Sequence, residues 1–124
     1  MVLNKHHRPA DSQSNVNIQR RTPLGNPLVM RRESERDAVV DGYREILEER
    51  ATPEEIAGRY DPPLEVDEMA RKVTREEREE AFARVLRRMM AGERVRLVCG
   101  CAPRRCHGDI IAARLCRMMR DIAE

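Results

Sequence analysis

Along this chain the spacing of apolar residues alternates between a period of two and a period near 3.6, and each switch marks an element. Val2-Leu3-Asn4 and Val16-Asn17-Ile18 read as two short strands, parted by the polar, turn-forming residues 11–15. Residues 20–28, Arg-Arg-Thr-Pro-Leu-Gly-Asn-Pro-Leu, follow as a rigid non-helical loop, because the two prolines fix their own φ on either side of Leu-Gly-Asn. Gly25 in its middle can adopt positive φ and bring backbone amides close to a ligand; an ordinary tight turn would read the same way.

Ser34-Glu35-Arg36-Asp37 has the form of a capping box, and Ala38, Val39, Tyr43, Ile46 and Leu47 then recur at helical spacing to about Arg50. Thr52-Pro53-Glu54-Glu55 opens a short helix to about Tyr60, which Asp61-Pro62-Pro63 stops. The acidic stretch onward to Lys72 is irregular, so residues 51–73 have the look of a connector or insertion. A second capping box, Thr74-Arg75-Glu76-Glu77, leads a helix whose Ala81, Phe82, Val85, Leu86 and Met89 share one face and which Gly92 ends. Arg94–Cys99 is the strongest strand, with Val95, Leu97 and Cys99 on one face. Beyond a turn at Ala102-Pro103, a last helix carries Ile110, Ile111, Leu115, Met118, Met119 and Ile122 as its apolar stripe, with Cys116 on or beside it as a small core residue. The order strand, strand, helix, helix, strand, helix predicts one α/β domain over residues 1–124. The expected architecture is a small layered fold with a short mixed or parallel sheet packed by about three main helices. Folds of this kind place ligands where a strand hands over to a helix.

Composition narrows the classes. A chain of 124 residues supports one core, and with two tyrosines, one phenylalanine and no tryptophan that core must be aliphatic. Charged residues make up 37 %, yet 24 basic residues, nearly all arginine, balance 22 acidic ones to a net +2. That balance, with so few rings for stacking, points away from nucleic acid as a partner. No run approaches the roughly 20 apolar residues of a membrane span, and the first ten residues lack the apolar centre of a signal peptide. A cytoplasmic protein without a membrane partner is therefore expected. Helix faces rich in Met and Leu suit a homodimer as readily as a core.

In a reducing compartment cysteines remain thiols or bind metal. Three of the four here fall within Cys99-Gly100-Cys101-Ala102-Pro103-Arg104-Arg105-Cys106-His107. As a zinc site, Cys99, Cys101, Cys106 and His107 supply four soft ligands, although adjacent Cys106 and His107 must both turn to one ion; His6 or His7 could replace a member of the set. As a catalytic site, Cys106 is the nucleophile, its thiol acidified by the start of the helix and by Arg104 and Arg105, with His107 as acid or base. Free amides at the helix start suit a phosphate or a nucleotide, and Asp109 works mildly against an anion while suiting the helix itself. The plain structural alternative packs Cys99 inward and leaves His107 as a cap.

Four blocks in order carry a resemblance. They are Val2–Lys5, then Ile18–Leu28 with its Pro-Leu-Gly-Asn-Pro loop, then Arg36–Arg44, then Leu97–Asp109 with Cys-x-Cys-Ala-Pro-x-x-Cys-His. Together they resemble domain of unknown function 4326, a small family of phages and bacteria, over nearly the whole chain except residues 51–73. The last block is more distantly similar to domain of unknown function 488, where arginine usually follows the histidine and this chain has Gly108. The first resemblance implies that Arg20, Gly25, Asn26, Cys99, Cys101, Cys106, His107 and Asp109 line one pocket. The expectation is then a phage-type domain enclosing a nucleotide-like or phosphate-bearing small molecule, with Arg20 and Asn26 orienting its anionic or base-like group. The alternative from another class is a zinc-stabilised module that acts on a host protein or nucleic acid without chemistry of its own.

Overall fold

The computed structural model describes residues 2–4, 15–19, 22–99 and 106–123, with Val2–Asn4, Cys99 and Ala123 described by backbone alone. Strands β1 (Val2–Asn4) and β2 (Asn15–Asn17) flank β5 (Arg96–Cys99) in a parallel sheet of order β1-β5-β2. Val2 pairs with Leu97 and Asn4 with Cys99 on one side, Asn15 with Arg96 and Asn17 with Val98 on the other. Parallel strands joined through helices are covered on both faces, so not only Leu97, on the face expected for β5, but also its neighbour Val98 is buried.

Helix α1 (Arg36–Leu47) begins differently from the capping box expected at Ser34. Glu33–Glu35 form a 3₁₀ turn, no side chain caps the helix, and the Glu35 carboxylate instead accepts from the Arg31 backbone amide and guanidinium at 2.9 Å each. That hydrogen-bonded pair holds the Glu35 carboxyl below the usual carboxylate range. Helices α2 (Pro53–Ala57) and α3 (Arg75–Met90) do start with full capping boxes, at Thr52 and Thr74. Helices α1 and α3 end in the same two-bond motif. After α1, Glu49 and Arg50 amides reach the Ile46 and Glu45 carbonyls, and after α3, Gly92 and Glu93 amides reach Met89 and Arg88. The left-handed position is Gly92 at φ 92° in α3 but Glu49 at φ 58° in α1, so only the first end was legible as a glycine stop.

Residues 51–73 pack as part of the domain. Leu28–Val29 form strand β3, which pairs antiparallel with β4, Glu65–Val66, and the Pro27 carbonyl accepts from the Asp67 amide at 2.8 Å. Leu28, Val39, Ile46, Ile56, Ala57 and Leu64 make a second apolar cluster between this pair, α1 and α2. The main cluster joins Ile18, Leu24, Tyr43, Phe82, Val85, Leu97, Cys106, Ile111 and Leu115 between the parallel sheet, α1, α3 and α4 (His107–Ala123). Tyr43 and Phe82, two of the three aromatic residues, are fully buried in it. Along α4, Ile110, Ile111 and Leu115 are buried, but Cys116 and Ile122 are exposed, which corrects the reading of Cys116 as core and of Ile122 as part of the buried stripe. Among the described residues no helix is long and apolar enough to cross a membrane.

Candidate functional site

The three parallel strands point the same way, so Asn4, Asn17 and Cys99 end at one edge of the sheet, and β5 leaves there for the segment that returns as α4. Ile18 sits just past the end of β2. Its amide donates to the Val98 carbonyl at 3.1 Å, and its carbonyl accepts from His107 Nε2 at 2.6 Å. A carbonyl can only accept, so Nε2 carries the proton, and in the neutral ring the lone pair lies on Nδ1. The His107 ring meets the Tyr43 ring edge-on, 5.1 Å between centroids at 76°. The Tyr43 hydroxyl in turn donates to the Leu24 carbonyl at 2.8 Å. Burial drives the Tyr43 phenol far above its ordinary range, despite the opposing pull of Arg78 and Arg114, so it stays a neutral donor.

This chain of contacts ties the end of β2, the start of α4, helix α1 and the Pro-Leu-Gly-Asn-Pro turn into one unit. The turn is reinforced from within. The Gly25 amide donates to the Thr22 carbonyl at 2.9 Å, and Asn26, 6 % exposed, spends Nδ2 on the Val39 carbonyl and Oδ1 on the Leu28 amide, both at 3.0 Å. Gly25 is not left-handed, since among the described residues only Glu49 and Gly92 have positive φ; the expectation of a positive-φ glycine cradling a ligand is corrected to a hydrogen-bonded turn.

Cys106 precedes α4 and is 2 % exposed within the main cluster. The Asp109 carboxylate accepts from its amide at 3.2 Å, while the Asp109 amide donates to its carbonyl at 3.1 Å, so Asp109 caps the helix end where an anion would otherwise be drawn. Of the zinc set, Cys106 and His107 are neighbours at this edge and the backbone of Cys99 lies at its strand end. Cys101 and Arg20, with His6 and His7, lie outside the described residues. Among the described residues no three His, Cys, Asp or Glu side chains gather as a metal site.

Next to the turn opens a groove of about 480 Å³. Val16 and Asn17 of β2, Pro23 and Leu24 of the turn, and Ala81 and Val85 of α3 form its walls, with Arg84, Arg87, Arg88 and Glu93 along its rim. Sequence reasoning assigned Ala81 and Val85 to the core and missed the groove, because only the fold brings α3 against residues 23–24. Tyr43 was also read as core alone; a hydroxyl on an otherwise apolar stripe was the available signal that it binds a carbonyl.

The fold and site define a small parallel α/β domain with a cleft beside the carboxyl edge of its sheet, fastened by a buried histidine. The chain belongs to the family Domain of unknown function (DUF4326), whose profile matches residues 2–117. No curated protein and no solved structure matches it.

Proposed function

We propose that this domain binds a nucleotide-like, phosphate-bearing small molecule in the groove between the Pro-Leu-Gly-Asn-Pro turn, the end of β2 and α3. The observation that carries the reading is the groove itself. Its volume of about 480 Å³ lies within the roughly 300–1,000 Å³ of ligand pockets, and its walls are apolar where a base would lie. Guanidiniums at the rim hold phosphate in a forked geometry; here Arg84 and Arg87 pair with Glu80 and Arg88 with Glu93, so a phosphate would have to compete with those acids. In this reading Asn26 holds the turn and Arg20 contributes charge to the ligand's anionic group. Cys106 and His107, buried at the start of α4, do not line this groove, so the reading is one of binding. Calorimetric titration with nucleoside mono- and triphosphates tests it. Binding is expected to weaken at least ~10-fold in Ala91→Trp, which fills the groove at the end of α3, and to weaken in Arg84→Glu. No binding at millimolar nucleotide, or binding indifferent to Ala91→Trp, would overturn the reading.

A second reading is favoured by His107 Nε2 donating to a backbone carbonyl, the outer-shell bond that orients a histidine ligating through Nδ1. Here Cys99, Cys101, Cys106 and His107 hold a structural zinc ion, and the charged helical surface meets a host protein or nucleic acid. Elemental mass spectrometry on protein purified without added metal or chelator should then find one equivalent of zinc that Cys106→Ser loses. Metal-free protein with an intact thermal transition would sink it.

A further inference from the structure

On another face of α3 from the groove, two small cavities adjoin and share Leu47 and Arg114. The first, about 130 Å³, lies between the end of α1, the start of α3 and α4. At a water's liquid share of about 30 Å³ it has room for one phosphoryl group. Arg78 and Arg114 line it, and among the described residues neither has a carboxylate partner. The Arg78 Nε is buried without a hydrogen-bond partner, a donor left open toward the cavity's contents. Arg114 is already aimed. Its Nη1 donates to the Leu47 carbonyl at 3.2 Å and its guanidinium lies 4.8 Å from the centre of the Phe82 ring.

The acids of this cavity do not answer these two arginines, because Glu49 and Glu79 both sit on Arg75, at 2.7 and 2.9 Å. In the second cavity, about 240 Å³, Arg114 is joined by Arg44 and Arg117, again without carboxylate partners among the described residues. Its acids are likewise engaged, Glu48 with Arg50 at 2.9 Å and Asp109 with the Cys106 amide. Most of the other described arginines are matched to acids, as Arg36 to Glu33, Arg59 to Glu45 and Arg71 to Glu54, while Arg32, Arg94, Arg96 and Arg120 stand apart from both cavities. Four guanidiniums without a carboxylate partner among the described residues, Arg44, Arg78, Arg114 and Arg117, are therefore gathered where these two cavities adjoin.

We propose that this double cavity binds a diphosphate group, one phosphoryl between Arg78 and Arg114 and the next between Arg114, Arg44 and Arg117. Paired guanidinium forks match the oxygens of successive phosphates, and Arg114, held by a carbonyl and a ring, bridges them. The site is separate from the groove and stands whether or not the groove binds nucleotide. The test is calorimetry at low salt with inorganic pyrophosphate, inorganic phosphate and a single-stranded oligonucleotide. Pyrophosphate should bind at least ~10-fold tighter than phosphate. Arg117→Gln, at an exposed position, should remove that advantage, Arg78→Gln should weaken both anions, and Ala91→Trp should change neither. Equal affinity for the two anions, or indifference to Arg78→Gln and Arg117→Gln, would overturn the proposal. So would an oligonucleotide that binds more tightly than pyrophosphate through the same arginines, since the ligand would then be a nucleic-acid backbone.

Discussion

Replacing His107 by alanine should lower the stability of the domain by about 2–4 kcal/mol, a large share of the 5–15 kcal/mol that holds an ordinary domain together. The loss has two sources. The Ile18 carbonyl, now accepting at 2.6 Å in a buried place, would be orphaned, which costs about 1–3 kcal/mol. The edge-on contact with Tyr43 is worth about 0.5–1.5 kcal/mol beyond its buried area, and that too would go. Because Ile18 and His107 are 89 residues apart, the bond fastens the end of β2 to the start of α4, and both elements should loosen together. Urea unfolding measures the change, and hydrogen exchange at Ile18 and along the first turn of α4 locates it. A His107→Ala protein within about 0.5 kcal/mol of the parent would show that the bond does not fasten these elements.

The second large effect is one of sign. In the middle of a helix glycine is about 1 kcal/mol worse than alanine, so helix propensity alone predicts that Gly42→Ala stabilises α1. The packing predicts the reverse. A β-carbon at Gly42 would collide with Leu28 Cδ1 and press on Ile56 Cγ2 at 3.0 Å. Leu28 and Ile56 are 2 % and 1 % exposed, so neither has free space to swing into. Gly42 is therefore the point where α1 lets β3 and α2 approach, and overpacking there should cost about 1–3 kcal/mol for alanine and more for valine. Denaturant unfolding of Gly42→Ala decides between the two, since a gain in stability would mean that the second cluster is loosely packed.

How much of this was legible varied with how local each signal was. The Thr74 capping box, the Gly92 stop and the strand expected over residues 94–99 depend on residues a few positions apart, and all were found, the strand two residues shorter at 96–99. Ser34 shows how far a local pattern reaches: the sequence fits a cap, but Glu35 finds a better partner in Arg31 and a 3₁₀ turn takes the position. The β3–β4 pair was invisible because two-residue strands have no periodicity of their own, and their pairing is fixed by the apolar contacts of Leu28, Ile56 and Leu64. At the site, the sequence singled out Asn26, Cys106, His107 and Asp109, and the structure shows what their side chains or backbones hold. The sequence did not reveal that His107 would grip Ile18, since nothing in either segment names a partner 89 residues away.

The most direct test of ligand binding beside the sheet edge is an amide-resolved NMR titration of the intact protein with a nucleoside monophosphate. Saturable shifts gathered on Asn17, Leu24, Val85 and Arg88 are the predicted result. Unmoved resonances at those positions at millimolar nucleotide, or shifts confined to the Arg114 and Arg117 face, would contradict the account.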